Sequence, residues 1–350
     1  MRIPSRCLAW AVIGGLFSGC GSDAPDLASY FRAKPYANPA CNSVDQRLAG
    51  EREMRLYVNG NVALAETTQG LASYYHRHSL SFFTDVPPQA TTMSYALDTD
   101  TVGLTLALTK MFPGVDLSDE AAVMAMDPVL YNQVVAFAAN WVLRPMIDFV
   151  KAHSDGGITV TNLLVIPNLE RPGGMAVGGP GMTLAGLSIS PALLSQFAMT
   201  MPDEAQIWQN VDVPAGFTPI MVLGNNVLQQ ARVLDPTLDD IVTAHEFGHS
   251  GALIHSMVPR NLMYPSASPG IDDCTDGLDD AQLSLMAATL GVGVSASTGA
   301  LLARGSAATP AGASSGRSFA PDRLRALLAG DGPAMRSFVE RLFHPQGAAF

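Results

Sequence analysis

Three histidines and one glutamate in the second half of the chain have the spacing of a metal site. His245 and His249 stand four positions apart in a segment with helical character, so both imidazoles project from one face of a helix. Glu246 lies beside them, where a carboxylate can take a proton from water at the metal. His255 follows and supplies the third ligand that a catalytic zinc site needs. The pattern predicts one Zn²⁺ ion on these histidines, with Glu246 as the general base.

The helix that must carry these residues has recognisable start and stop signals. Asp235 is predicted to cap it, Pro236 to occupy its first position, and Asp239 and Asp240 to lie in the first turn, where the helix dipole favours acids. Because one helix cannot hold three ligands over ten residues on a single face, the chain must turn sharply before His255. Gly251 predicts that break.

From His245 to His255 the chain resembles the metzincin metallopeptidases, whose pattern is His-Glu-x-x-His-x-x-Gly-x-x-His followed by a methionine turn. Ala252 stands where the family has glycine. Either the helix ends one residue sooner, or Ala252 adopts a left-handed conformation at a cost of about 1–2 kcal/mol. The segment from His255 to Pro265 is similar to the matrixin branch, with Leu-Met-Tyr-Pro at the same spacing. That resemblance implies that Met263 forms a hydrophobic floor beneath the zinc.

The resemblance implies an α+β fold, a metzincin-like (zincin) domain with a twisted mixed sheet, an active-site helix, a Met-turn and a C-terminal helix over 278–291. It also implies a zinc endopeptidase that acts on a protein or peptide substrate, with an edge strand within 175–190 to receive an extended chain. The alternative is a surface binding or structural lipoprotein that keeps the zinc fold without turnover. Glu246 favours the enzyme, because a purely structural site does not need that carboxylate.

Hydrophobic periodicity predicts the remaining elements. Strands are predicted over 54–59, 80–83, 158–166 and 217–223, and helices over 63–78 and 119–153, with Pro145 kinking or dividing the second helix. Residues 84–118 are predicted to be rich in turns. The range of about 84–156 is predicted as a helical insertion that covers the core, and the glycine-rich range 173–181 as a flexible hairpin or edge strand.

The termini indicate an exported protein. Residues 1–19 have the charge and length of a signal peptide, and they end on a sequence that resembles the bacterial lipobox, with Cys20 as the lipidated residue. We expect a lipid anchor on the outer membrane or cell surface; the alternative is an ordinary signal peptide and a secreted protein. The predicted divisions are a tether over 20–53, the catalytic domain over 54–291, a Gly/Ala/Ser-rich linker over 292–318 and a helical tail over 319–350.

Charge and cysteine content add two expectations. The formal charge of −11, without any basic block, argues against a nucleic-acid partner. Cys41 and Cys274 remain after the signal peptide and Cys20, and an exported compartment permits a disulfide between them. The alternative is that Cys41 is an inhibitory zinc ligand of a latent form.

Overall fold

The computed structural model describes ten stretches of the chain. They are residues 26–36, 39–60, 62–114, 126–155, 157, 159–173, 184–200, 208–235, 237–265 and 277–293. The predicted signal peptide, Cys20, most of the linker, the C-terminal tail and Cys274 lie outside these residues. The lipidation and the disulfide therefore stay predictions.

A mixed β-sheet forms the centre of the described domain. Its strands are β1 (Gly50–Val58), β2 (Leu80–Phe83), β3 (Gln89–Ala90), β4 (Val160–Ile166), β5 (Gly186–Ile189) and β6 (Ile220–Gly224). The order is β2-β1-β4-β6-β5, and β3 also pairs with β1. All pairs are parallel except β5 with β6, so an antiparallel strand closes one edge of the sheet.

Helices cover both faces of this sheet, which gives the α+β class that the sequence predicts. They are α1 (Leu64–His76), α2 (Thr101–Met111), α3 (Pro128–His153), α4 (Pro191–Thr200), α5 (Asn225–Leu234), α6 (Leu238–Ser250) and α7 (Asp280–Leu290). Every residue of β4 and β6 is buried, as expected for strands covered on two sides. One hydrophobic core lies between the sheet and α3, and the other between the sheet, α1 and α6.

In the range predicted as a helical insertion, α3 packs against one of the two cores. It runs for 26 residues with Pro145 inside it, so of the two predicted alternatives the division of the helix is excluded. The helix α2 lies within 84–118, a range predicted to be rich in turns and without a predicted helix. Its start is fixed by Asp100, whose side chain accepts a hydrogen bond from the Gly103 amide at 3.0 Å.

The range predicted as a tether packs against the domain in its described part. The short 3-10 helix Leu27–Phe31 buries Phe31, Cys41 and Leu48 are buried, and β1 begins at Gly50 rather than at the predicted residue 54. Part of the segment predicted as a tether therefore belongs to the packed structure, although its composition is polar. Within the described residues, no helix has the length and apolar character needed to cross a membrane.

The helix α6 carries the predicted metal site and is held from three directions. Its N-cap residue is Thr237 and not the predicted Asp235. The Asp235 backbone amide ends α5 by donating to the Ala231 carbonyl, whereas its carboxylate accepts from the Thr237 amide at 2.9 Å, just before α6 begins. Phe247 lies in an aromatic cluster with Tyr75 and Phe82, at ring-centroid distances of 5.1 and 4.9 Å. The Tyr75 hydroxyl donates to the Ala244 carbonyl at 2.8 Å.

An arginine from α5 also holds the first turn of α6. The Arg232 guanidinium binds the almost completely buried Asp239 carboxylate and donates to the Thr67 hydroxyl of α1 at 2.6 Å. It approaches Glu66 as well, at 3.4 Å, but that carboxylate is 63% exposed. Burial raises the pKa of Asp239, and the arginine opposes that rise.

We expect Arg232→Met to destabilise the protein by about 2–4 kcal/mol, because it leaves the buried Asp239 carboxylate without its cation. Urea unfolding monitored by circular dichroism measures the loss. The matched control is Glu66→Gln, which removes only the exposed partner of the same arginine and should cost no more than about 0.5 kcal/mol. Similar losses of unfolding free energy in both variants would contradict the assignment of Asp239 as the partner through which Arg232 stabilises the protein.

Candidate metal centre

The three predicted ligands converge on one point. Within the described residues, His245, His249 and His255 form a group whose ligand nitrogens all lie within 4.8 Å of one another. The Nε2 atoms of His245 and His255 are 3.3 Å apart. A tetrahedral ion with metal–nitrogen distances of about 2.0–2.1 Å separates its ligand nitrogens by about 3.3–3.4 Å. The histidines therefore lie close enough together to bind one metal ion.

Two backbone carbonyls fix the direction in which the imidazoles face. His245 Nδ1 lies 2.7 Å from the Leu262 carbonyl oxygen, and His249 Nδ1 lies 2.7 Å from that of Leu253. A carbonyl accepts only, so each Nδ1 carries the hydrogen and each Nε2 presents its lone pair to the shared point. Metal-binding histidines are commonly oriented in this way. These two carbonyls have no signal in the sequence.

The end of α6 forms the turn that brings His255 to the site. The Ala252 amide donates to the His249 carbonyl at 3.0 Å and the Leu253 amide to the Gly248 carbonyl at 3.1 Å, which is a Schellman motif with Gly251 at the C-cap. Ala252 has φ of 69°, so the second of the two predicted alternatives holds: this residue is left-handed. The same turn supplies the Leu253 carbonyl that orients His249.

We expect Ala252→Gly to stabilise the protein by about 0.5–1 kcal/mol. The left-handed conformation costs alanine about 1–2 kcal/mol, which glycine avoids in the folded state. The unfolded chain has more conformational freedom with glycine, and this offsets part of the gain in stability. Thermal unfolding of the metal-free protein measures the change. Gly291→Ala, at the end of α7 with φ of 67° and open space for a Cβ, is the reverse control and should lower the melting temperature. A destabilised Ala252→Gly variant would contradict the strain at this turn.

Met263 packs beneath the histidine helix. It is fully buried, and a Cβ added to Gly248 would lie 2.5 Å from its sulfur, so glycine is needed between the two histidines of α6 for the methionine to approach. The turn around Met263 is held by Asn261, which accepts from the Met263 amide at 2.9 Å and exchanges two side-chain hydrogen bonds with Gln282 of α7. The predicted helix over 278–291 is thus observed, and its first turn holds the methionine segment.

Glu246 is buried beside the histidines on the same helix. Only 6% of its surface is exposed, and burial raises the pKa of its carboxyl to about 8, a rise that the neighbouring Ser188 hydroxyl opposes. Burial also lowers the pKa of His245 to about 4, although its hydrogen bond to Leu262 acts in the other direction. The metal-free site thus favours a neutral imidazole and a protonated carboxyl. A bound cation would favour the carboxylate and lower the pKa of Glu246.

The stability of the metal-free protein should therefore depend on Glu246 in a defined pH window. The pKa of the carboxyl is about 8 when folded and 4.5 by the reference value, so the folded state holds the proton more tightly. Stability from this group is present below pH 4.5 and is lost as the pH rises towards 8. We expect Glu246→Gln to gain stability over the wild type across this interval, by a total on the order of 3–5 kcal/mol. Urea titrations of both proteins in chelator at pH 5 and pH 8 measure this difference. If the variant and the wild type differed by the same unfolding free energy at both pH values, the burial of an ionisable carboxyl would be contradicted.

No protein-family model matches the chain, and no curated protein matches it.

Proposed function

We propose that the protein is a zinc-dependent endopeptidase of the metzincin type that resembles the matrixins. The observation that carries this proposal is the convergence of His245, His249 and His255 beside a buried carboxylate, Glu246, on the helix that bears two of them. Among the described residues the group consists of three imidazoles. Three protein ligands are typical of catalytic zinc sites, whereas structural sites usually have four. The mixed sheet, the buried Met263 and the closing helix α7 support the same family.

The described residues divide the chemistry among themselves. A bound zinc ion would supply Lewis acidity, which lowers the pKa of water to about 7 and polarises a peptide carbonyl. His245, His249 and His255 would hold that ion, and the Leu253 and Leu262 carbonyls keep two of them in the binding orientation. Glu246 takes the proton of the attacking water as the water adds to the carbonyl carbon. Glu246 then returns this proton to the leaving nitrogen as the C–N bond breaks.

Strand β5 is the proposed binding place for an extended substrate. It lies at the edge of the sheet and packs against α6, so its backbone passes next to Glu246. An extended peptide can add to such an edge by main-chain hydrogen bonds, independent of its side chains. The substrate class proposed is therefore an unfolded or loop segment of a protein. Export on a lipid anchor at Cys20 remains part of the proposal, resting on the sequence alone.

The rival function is a zinc-retaining surface protein without turnover, and a comparison of one variant with the wild type separates the two. We expect Glu246→Gln to bind zinc as the wild type does but to lose peptide hydrolysis by about 10²- to 10⁴-fold, because only the general base is removed. Cleavage of a fluorogenic peptide library, with metal content measured on the same samples, is the test. Stoichiometric zinc with equal inertness of both proteins would reject the enzyme and leave the binding protein.

The ligand set has its own test. His255→Ala should weaken zinc binding by more than about 100-fold in a competition with a chromogenic chelator, since it removes one of three ligands. His76→Ala, at an exposed position on α1, is the matched control and should bind zinc like the wild type. Undiminished affinity of His255→Ala would remove this residue from the site.

A further inference from the structure

The strand β5 contributes two residues to the surroundings of Glu246. Side chains alternate along a strand, so positions 186 and 188 share one face and positions 187 and 189 share the other. Leu187 and Ile189 belong to the core beneath α3. Gly186 and Ser188 face the opposite side, towards the Glu246 carboxyl.

Gly186 leaves a space that the Glu246 side chain occupies. A Cβ at this position would lie 2.5 Å from Glu246 Cγ and 2.7 Å from both Cδ and Oε1, closer than real Cβ atoms come to other heavy atoms. Gly186 has no positive φ, so its backbone does not require glycine. The close approach of the carboxyl is therefore the reason that a side chain does not fit here.

Ser188 offers a hydroxyl to the same carboxyl. It is 7% exposed, and among the described residues neither its Oγ nor Glu246 Oε2 has a partner with the geometry of a hydrogen bond. Both residues line a cavity of about 20 Å³ together with Gly186 and His249, which is space for about one water molecule. Ser188 Oγ and Glu246 Oε2 are buried atoms of residues that line this cavity, and each is costly if left without a partner. A hydrogen bond between them, direct or through one water, satisfies both.

We propose that Gly186 and Ser188 form the seat of the Glu246 carboxyl. Gly186 leaves the space that the carboxyl fills, and Ser188 donates its hydroxyl hydrogen to Oε2, so both act as positioning residues. The seat fixes the carboxyl between the edge strand and the histidines, where its proton transfers would take place. Its effect on turnover rests on the proposed peptidase function, whereas the contacts themselves do not. The edge strand would thus bind substrate with its backbone and hold the general base with its inward face.

A stability experiment tests the seat without reference to activity. Gly186→Ala should lower the melting temperature of the full chain by roughly 5 °C, because the new methyl group overlaps the carboxyl. In a Glu246→Ala background the same substitution should cost less than half as much, since the clash is gone. Equal losses in the two backgrounds would overturn the part assigned to Gly186.

The hydroxyl of Ser188 is tested by the same cycle. Ser188→Ala should lower the melting temperature in the wild type but raise it or leave it unchanged in Glu246→Ala, where the hydroxyl has lost its acceptor. A loss of the same size in both backgrounds would overturn the hydrogen bond.

Kinetics then separate positioning from a general structural role. Ser188→Ala should lower kcat about 10-fold with KM and zinc affinity unchanged, and Ser188→Thr, which keeps the hydroxyl, should recover at least half of the wild-type rate. Ser195→Ala, at an exposed position on α4, is the control. An unchanged kcat, or a loss matched by weaker zinc binding, would overturn the positioning role. If the wild type itself cleaves nothing, the proposed function fails, while the melting-temperature cycles still decide whether the seat exists.

Discussion

The site depends on holding several desolvated hydrogen-bonding groups within a few ångströms of one another. Three imidazole nitrogens lie within 4.8 Å and a carboxyl is buried beside them. Lone pairs that face each other repel, and each group loses water on burial, so the arrangement does not stabilise the metal-free fold. It persists because both Nδ1 atoms that face away from the centre are satisfied by the Leu253 and Leu262 carbonyls. A bound cation would turn the same crowding into attraction, and its binding would then be coupled to folding.

Those two carbonyls connect the ligands to the rest of the fold. One belongs to the turn that ends α6, and the other precedes Met263 in the segment that Asn261 and Gln282 fasten to α7. Gln282 also completes the capping box of α7 with Asp279, so the start of that helix and the orientation of His245 share one network of hydrogen bonds. The closing helix is therefore part of the support of the metal site, although it carries no ligand.

The sequence predicted most accurately those elements whose determinants are local. The histidine spacing, the buried strand over 158–166 and the closing helix follow from periodicity and from cap residues close in the chain. The helix α2 was missed because its β-branched residues and Gly103 lower helix propensity, and the Asp100 cap outweighs them. Asp235 was predicted as the N-cap of α6, but it lies two residues before that cap: its backbone amide ends α5 and its carboxylate binds Thr237.

The parts of the site that could not be predicted are long-range contacts. No residue near Gly186 in the sequence indicates that the absence of a side chain there leaves room for Glu246, sixty residues later. The carbonyls of Leu253 and Leu262 could not be predicted from the sequence either, because every residue has a carbonyl. Only the folded turns determine which carbonyls accept the hydrogen bonds of His249 and His245. Local patterns thus predicted which histidines come together, while the groups that orient them required the structure.

The strain near the third ligand shows how the fold maintains this geometry. Among the described residues, three that are not glycine have positive φ: Ser79, Ala252 and Arg260. Two of them bracket His255. The chain must reverse after α6, place an imidazole, and reverse again to bring Met263 under the helix, all between Ser250 and Asn261. Positive φ at ordinary residues costs about 1 kcal/mol or more each, and such strain survives only where surrounding contacts outweigh it. Here those contacts are the Schellman hydrogen bonds, the buried Leu253 and the Asn261–Gln282 pair, which also hold the site in place.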